Sequence, residues 1–413
     1  MRCVTCGQEY AVTELRYACD CGGLLEIVRD PRELARLKTS TFDARRTSGD
    51  PWDQSGVWRF REAVMDVGTA AIVTHPEGGT RLYHRDALDA YAGVAGVRFK
   101  HEGENPTGSF KDRGMTVATT QAKRVGATAV ACASTGNTSS SLAAYAAQAK
   151  LRAIVFLPEG KVTIGKMAQT LAYGALCLQV RGDFDAAMRL VSEAADKLGI
   201  YLLNSKNPWR IEGQKTIVWE MLQDLGWDAP DWISVPAGNL GNTSAFGKAL
   251  KEAHEAGWIK TVPRLLCVQA SGANPFFKSF AEQWKTRHKV AAETVASAIR
   301  IGDPVSYDKA RTAIEYTQGI VTEVTDVELM MAKRAIDGAG IGCEPASACS
   351  LAGVRQQVAT GAIKPGARVV CVLTGNVLKD PDVIVKGIDG LPPLPAPVVI
   401  DPTIEAVRKA VGG

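Results

Sequence analysis

Ala129-Val-Ala-Cys-Ala133-Ser-Thr-Gly-Asn137-Thr138-Ser-Ser-Ser-Leu142-Ala-Ala-Tyr-Ala-Ala-Gln148 is followed, after Ala149, Lys150 and Leu151, by Arg152-Ala-Ile-Val-Phe-Leu157. Ala129–Ala133 is a short apolar run, the pattern of a strand buried on both faces. Thr138–Gln148 follows a polar turn and reads as a helix of small and apolar residues. Arg152–Leu157 is a second apolar run. Strand, helix, strand at this pace is a crossover unit, and a crossover joins parallel strands.

Working outward, the same alternation fills most of the chain. Candidate strands are 97–100, 129–133, 152–157, 175–180, 201–203, 232–235, 265–270 and 368–373, with helices expected at 113–125, 138–148, 166–173, 185–198 and 212–225. This is an α/β protein with enough strands for two parallel sheets, each covered by helices on both faces. Residues 31–96 read as irregular connection with short elements. Prolines 392, 393, 395 and 397 mark an extended segment before a last short helix.

The 413 residues carry 48 basic and 44 acidic side chains, a net charge of +4, with 46% hydrophobic and 22% charged residues. This composition excludes disorder as the main state. The dispersed charge gives no basic stripe for nucleic acid. No apolar run approaches the roughly 18–20 residues of a membrane span, and Met1-Arg2-Cys3 leads into no signal peptide. A cytoplasmic location is expected.

Of ten cysteines, Cys3, Cys6, Cys19 and Cys21 fall in the first 21 residues. Residues 1–30 are too few to bury a core, and C-x2-C followed by C-x-C suits two thiolate turns around a tetrahedral zinc. Reduced thiols of a decayed site, or a redox or nucleic-acid role, remain open. Against nucleic acid, residues 1–28 contain two arginines and no lysine.

Four loops at strand ends are more polar than a connection needs, and open α/β sheets bind ligands at the carboxyl ends of their strands. In Glu104-Asn-Pro-Thr-Gly-Ser-Phe-Lys111-Asp-Arg-Gly114, Ser109 is a candidate cap for a helix carrying Lys111 in its first turn. The helix field there disfavours an ammonium and favours a neutral amine. Ser134-Thr-Gly-Asn137-Thr138 opens a helix, a place for an anion or a carboxylate. Gly238-Asn239-Leu240-Gly241-Asn242 can turn several N–H groups toward one point, as a phosphate cradle does. It is neither a dinucleotide nor a triphosphate fingerprint. Thr374-Gly-Asn376 follows the last strand.

Asn105-Pro-Thr-Gly-Ser-Phe-Lys111-Asp-Arg-Gly-Met115, Ser134–Thr138, Gly238–Asn242 and Thr374–Asn376, in this order, resemble the pyridoxal-phosphate enzymes of the tryptophan-synthase-β fold. Within that group the resemblance is to the threonine synthase family. It rests on Gly56-Val-Trp-Arg-Phe-Arg61, on Asn204-Ser205-Lys-Asn207-Pro-Trp-Arg210-Ile-Glu-Gly-Gln-Lys-Thr216, and on Glu344-Pro-Ala-Ser-Ala348. The Cys-rich leader recurs in one branch of that family. One departure is Gly78-Gly-Thr80-Arg81, where the family usually has proline after the threonine.

The resemblance implies two three-layer domains: a large cofactor-binding one from 31–125 and 206–413, and a small mobile one from 126–205. A zinc-ribbon-like unit at 1–30 precedes them. It implies that Lys111 holds pyridoxal 5'-phosphate as a Schiff base and shuttles protons. Asn137 would face its phenolic oxygen, residues Gly238, Asn239, Leu240, Gly241 and Asn242 its phosphate, and Thr374 its pyridine nitrogen. A hydroxyl does not force that nitrogen to stay protonated. Thr138, Ser205, Arg210 and Asn239 would bind the phosphate of O-phospho-L-homoserine, with Arg210 opening the helix that runs to Leu225. The implied reaction makes L-threonine and phosphate in a homodimer, with no nucleic-acid or membrane partner. The alternatives are cysteate synthase, a threonine/serine ammonia-lyase of the same fold, or a zinc-ribbon nucleic-acid adaptor with an inert body.

Overall fold

The computed structural model describes residues 1–134, 136–160, 164–182, 184–395 and 397–411. Thr135 of the second polar loop lies outside the described residues.

Twelve strands form three sheets among the described residues. Strands β1 (Arg2–Cys3) and β2 (Leu25–Glu26) pair antiparallel at the N-terminus. The others are β3 (Leu82–His84), β4 (Arg98–His101), β5 (Ala129–Ala133), β6 (Arg152–Pro158), β7 (Leu176–Val180), β8 (Tyr201–Leu202), β9 (Trp232–Pro236), β10 (Arg264–Ala270), β11 (Ile320–Val324) and β12 (Val369–Leu373). A six-stranded sheet has the order β11-β10-β9-β12-β4-β3, and a four-stranded sheet the order β7-β6-β5-β8. All their pairings are parallel except that of β3 with β4. The two parallel sheets expected from the apolar runs are therefore present. Every residue of β9 and β12 is buried, the signature of strands covered on both faces.

The order of strands gathers the loops. β9, β12 and β4 are neighbours, so the loops that follow them, at 238–242, 374–376 and 102–110, open side by side. β5 and β8 are also neighbours, which places 134–138 beside 203–207. The carboxyl ends of the two sheets face one cavity, lined by residues from all five loops.

Two helices bring the sheets into register with each other. Helix Lys111–Arg124 crosses helix Pro208–Gln214 with the backbones touching. A β-carbon at Gly213 would overlap the Arg113 carbonyl, and one at Gly114 would lie 2.9 Å from the Arg210 carbonyl oxygen. Only glycine permits this approach. Arg113, fully buried, locks the crossing: its guanidinium donates to Glu102 at 2.6 and 2.7 Å and to Glu220 at 2.8 Å. Lys100 reaches Glu220 and Asp224, both at 2.7 Å. Buried ions hold only when paired in this way.

Some expectations shift. The helix expected from 212 is two helices, Pro208–Gln214 and Thr216–Asp224; Asn207 caps the first through Trp209 N, and Pro208 is its first residue. Arg210 thus sits inside the first turn rather than opening the helix. Ser109 is not the cap of the Lys111 helix; Phe110 takes that position without a side-chain cap bond, and Ser109 Oγ lies 3.4 Å from Lys111 N. Strands β1, β2, β3 and β11 are not among the candidates.

The N-terminal ribbon packs across both sheets. Leu202 N, on edge strand β8, donates to the Tyr17 hydroxyl at 2.7 Å. Gln121 donates to Val12 O, and Lys248 and Lys309 donate to Ile27 O and Leu25 O. Among the described residues no helix is long and apolar enough to cross a membrane.

Candidate active site

The cavity encloses about 1350 Å³ between the two sheets. Lys111, Asn137, Thr138, Ser205, Arg210, Gly238, Asn239, Leu240, Gly241, Asn242 and Thr374 all line it, so every cavity residue singled out from the sequence arrives at one place.

Lys111 begins its helix, with its ammonium nitrogen 4.0 Å from the centroid of the Phe110 ring. Its side chain opens onto the cavity, yet protein surrounds it closely. Burial, aided by the Arg210 cation, pushes its pKa down to about 7, against a pull upward from Glu344. This is the environment that turns a lysine into a nucleophilic amine. Asp112, the next residue, anchors the loop. It accepts from Thr107 N at 2.7 Å, from Thr107 Oγ1 at 2.6 Å, and from Ser141 Oγ, on the helix after β5, at 2.5 Å.

At 238–242 the chain turns sharply, with Leu240 at φ 64°, in the left-handed region. Among the described residues, no N–H from Gly238 to Asn242 has a backbone partner. Such a run of free N–H groups at the start of helix Gly241–Glu255 is an anion cradle. Gly238 is required by close packing, since a β-carbon there would sit 2.9 Å from Ile299 Cα. Two buried amides beside the cradle, Gln214 and Asn242, have carbonyl oxygens without partners among the described residues. An amide is readily turned to present its N–H2 group, so both can serve an anion. The lysine, the cradle and these idle amides fit a phosphorylated aldehyde.

Arg210 is 4% exposed and, among the described residues, donates only weakly, at 3.3 Å, to Leu203 O, with its Nε left without a partner. Burial pushes its pKa down to about 10. A buried cation without a counter-ion is costly, and the site makes sense with an anion beside it. Ser205 and Thr138 line the same cavity. Asn239 Oδ1 accepts from Val305 N at 3.4 Å, leaving its N–H2 group for the cavity.

Three cavity residues carried no role in the sequence reading. Glu344, 3% exposed, accepts from Asn137 Nδ2 at 2.9 Å and Thr374 Oγ1 at 3.0 Å. Lys379 crosses the cleft to Gln169 Oε1 at 2.6 Å and Ser140 Oγ at 3.3 Å. Gln214 is the third. Glu344 and Gln214 stand in quoted motifs and Lys379 three residues past one; what was missing was any means of knowing which way they point.

Arg81 points away, 75% exposed at its side chain, and is not among the lining residues. Its N–H donates to Glu104 Oε2 at 2.7 Å, a bond that the proline of the family could not make. The departure is thus compensated outside the cavity. The motif at 56–61 is structural: Trp58 Nε1 donates to Thr116 Oγ1 at 2.7 Å and Arg59 to Gln223 Oε1 at 2.8 Å.

In the N-terminal ribbon the four thiols come together. Cys3 and Cys21 sulfurs are 3.6 Å apart, Cys6 and Cys19 sulfurs 3.5 Å, and all four lie within 4.8 Å of one another. Zinc–sulfur bonds of about 2.3 Å in a tetrahedron place sulfurs about 3.8 Å apart, so the set fits zinc.

A lysine of depressed pKa, an N–H cradle and a hydroxyl at the end of a central strand define a class, and the family model for pyridoxal-phosphate-dependent enzymes matches residues 73–375. The chain belongs to that family. Within it the chain belongs to the threonine synthases. It is 46% identical to the threonine synthase of Methanocaldococcus jannaschii over 93% of this chain and 94% of the relative. It is 41% identical to that of Methanosarcina acetivorans over 100% of this chain and 98% of the relative. The structure of threonine synthase from Escherichia coli shares the fold, with a TM-score of 0.67 at 17% identity, covering 97% of this chain and 90% of that one.

Proposed function

We propose that the chain converts O-phospho-L-homoserine and water to L-threonine and inorganic phosphate. The observation that carries this reading is Arg210, a buried cation without a counter-ion among the described residues, in the same cavity as the amine of Lys111. An ammonia-lyase acts on a neutral side chain and gains nothing from a buried guanidinium there.

Bound pyridoxal phosphate supplies the electron sink that lets protons leave Cα and Cβ of the amino acid. Lys111 holds the cofactor and, when released as a free amine, moves those protons at Nζ; a pKa near 7 lets it both take and return them. The N–H groups of 238–242 grip the cofactor phosphate, Asn137 donates to its phenolic oxygen, and Thr374 faces its pyridine nitrogen. Arg210, Ser205, Thr138 and Asn239 hold the substrate phosphate, with the N-terminus of helix Pro208–Gln214 adding its field. The C–O bond at Cγ breaks, Cγ gains a proton, and water forms the new C–O bond at Cβ.

In the same reading, residues 126–205 are the small domain and close on the large one, 31–125 and 206–413. Lys379 bridges them through Gln169 and Ser140. Zinc on Cys3, Cys6, Cys19 and Cys21 stabilises the unit 1–30, and the chain works as a homodimer. The test is phosphate release by the cofactor-loaded protein. O-phospho-L-homoserine should give phosphate and threonine in equal amounts. Preferential turnover of O-phosphoserine, or 2-oxobutanoate from threonine, would replace this reading with cysteate synthase or an ammonia-lyase.

A further inference from the structure

Lys379 lines the cavity yet carries no step of the reaction. It ends a single helical turn, Val377–Lys379, just past β12 of the six-stranded sheet. That turn is fixed at its base. The Asn376 side chain caps it, accepting from Leu378 N at 3.0 Å, and Asn376 N donates to Gly108 O at 2.9 Å. On its other side Ser297 Oγ donates to Asp380 Oδ2 at 2.5 Å. The stem of Lys379 lies on Gly108, three residues before Lys111. Gly108 has φ 83°, and a β-carbon there would sit 2.9 Å from Lys379 Cε, so glycine both permits the turn and leaves room for the lysine.

The ammonium ends on the other sheet. It donates to Gln169 Oε1 at 2.6 Å, on helix Ile164–Ala172 after β6, and to Ser140 Oγ at 3.3 Å, on helix Asn137–Ala149 after β5. A charged donor makes the stronger kind of hydrogen bond. The two helices are joined to each other as well, Thr170 Oγ1 donating to Ser139 Oγ at 3.2 Å, so the lysine grips them as one wall. Ser140 Oγ passes the contact on, donating to Asn137 O at 3.2 Å. Thr138 lies in the chain between Asn137 and Ser140, and its hydroxyl has no partner among the described residues. The Asn137 side chain has an anchor of its own in Glu344, at 2.9 Å.

We infer that Lys379 is a positioning residue for the substrate, acting through Gln169 and Ser140 to hold in place the cavity wall made by helices Asn137–Ala149 and Ile164–Ala172. This rests on the proposed reaction and on the reading that Thr138 meets the substrate. A wall fixed before the substrate arrives does not have to be ordered by it, and the ordering cost avoided appears as affinity. The cofactor does not depend on that wall in the same degree. It has Lys111, the cradle at 238–242, and the Asn137 amide that Glu344 holds from the opposite side. Loss of Lys379 therefore acts on the substrate and spares the cofactor.

The test is a double-mutant cycle on the full-length, cofactor-loaded protein, read as KM and kcat for O-phospho-L-homoserine beside the cofactor Kd from an absorbance titration. Lys379→Met keeps the stem on Gly108 and removes the donor. It should raise KM about tenfold or more while the cofactor Kd stays within about twofold of wild type. Gln169→Leu removes the acceptor on the facing helix, leaves the lysine intact, and should raise KM in the same direction. The double variant should be no worse than Lys379→Met alone, because residues that act through one contact do not add. Effects that multiply would overturn the inference, since Lys379 would then act on the substrate directly. So would a wild-type KM in Lys379→Met, or loss of the cofactor from that variant. Failure of the underlying reading is separate: the wild type would release no phosphate from O-phospho-L-homoserine, or Thr138→Val would keep the wild-type KM.

Discussion

Replacing Arg210 by methionine should move stability and substrate affinity in opposite directions. Methionine keeps most of the side-chain volume and removes the charge. In the ligand-free protein the guanidinium has one long bond and an idle Nε. Burial pushes its pKa down from the usual guanidinium range to about 10. At about 1.4 kcal/mol per unit, the charged form costs the fold roughly 3 kcal/mol. Removing it should stabilise the free protein by about 1–3 kcal/mol, since an apolar group of similar volume often serves a buried site better than an ion. The substrate loses a charge-assisted contact of about 1.5–3 kcal/mol, roughly a 10–150-fold rise in KM. Urea unfolding of the ligand-free protein and initial rates of phosphate release measure the two effects. A variant that is less stable, with KM within twofold of wild type, would refute the reasoning, because Arg210 would then be a structural residue and not an anion site.

Three further outcomes are expected. The rate at which cofactor-free protein captures pyridoxal phosphate should rise with pH and reach half its plateau near pH 7. The depressed Lys111 pKa leaves the attacking neutral amine dominant above that value; a rate still climbing at pH 9 would place the amine in open solvent. Gly238→Ala should loosen cofactor binding by about tenfold or more, roughly 1.4 kcal/mol, because the new methyl would press on Ile299 Cα; an absorbance titration giving the wild-type Kd would show the cradle elsewhere. Zinc analysis should find one ion per chain, and a chelator should lower the Tm while the cofactor absorbance persists; no metal, with no response to chelator, would leave four reduced thiols.

Much of this site could be read from the residues because its parts are local. A run such as Ala129–Ala133 states its own burial, and Gly238–Asn242 states its own turn. The strand order that sets β9, β12 and β4 side by side could not be read that way, because pairing joins residues far apart in the chain. The same holds for Gly114 and Gly213. Both stand in quoted motifs, yet neither shows that it faces the other until the helices cross. The start of the Arg210 helix, placed after Arg210 from the sequence, carries its signal in Asn207-Pro208, a cap followed by a proline at the first helical position. Glu344 was visible as a residue and silent as a role, since an acid after Cys343 can point anywhere. Its partners, Thr374 and Asn137, are supplied by two other segments.

The claim beneath the rest is that one amine in this cavity carries the cofactor. Two lysines there have pKa values lowered by burial, Lys111 and Lys379, so the choice is experimental. Reduction of the cofactor-loaded protein with borohydride, followed by peptide mapping, should place the pyridoxyl group on Lys111 alone. A label on Lys379, or none, would contradict the account.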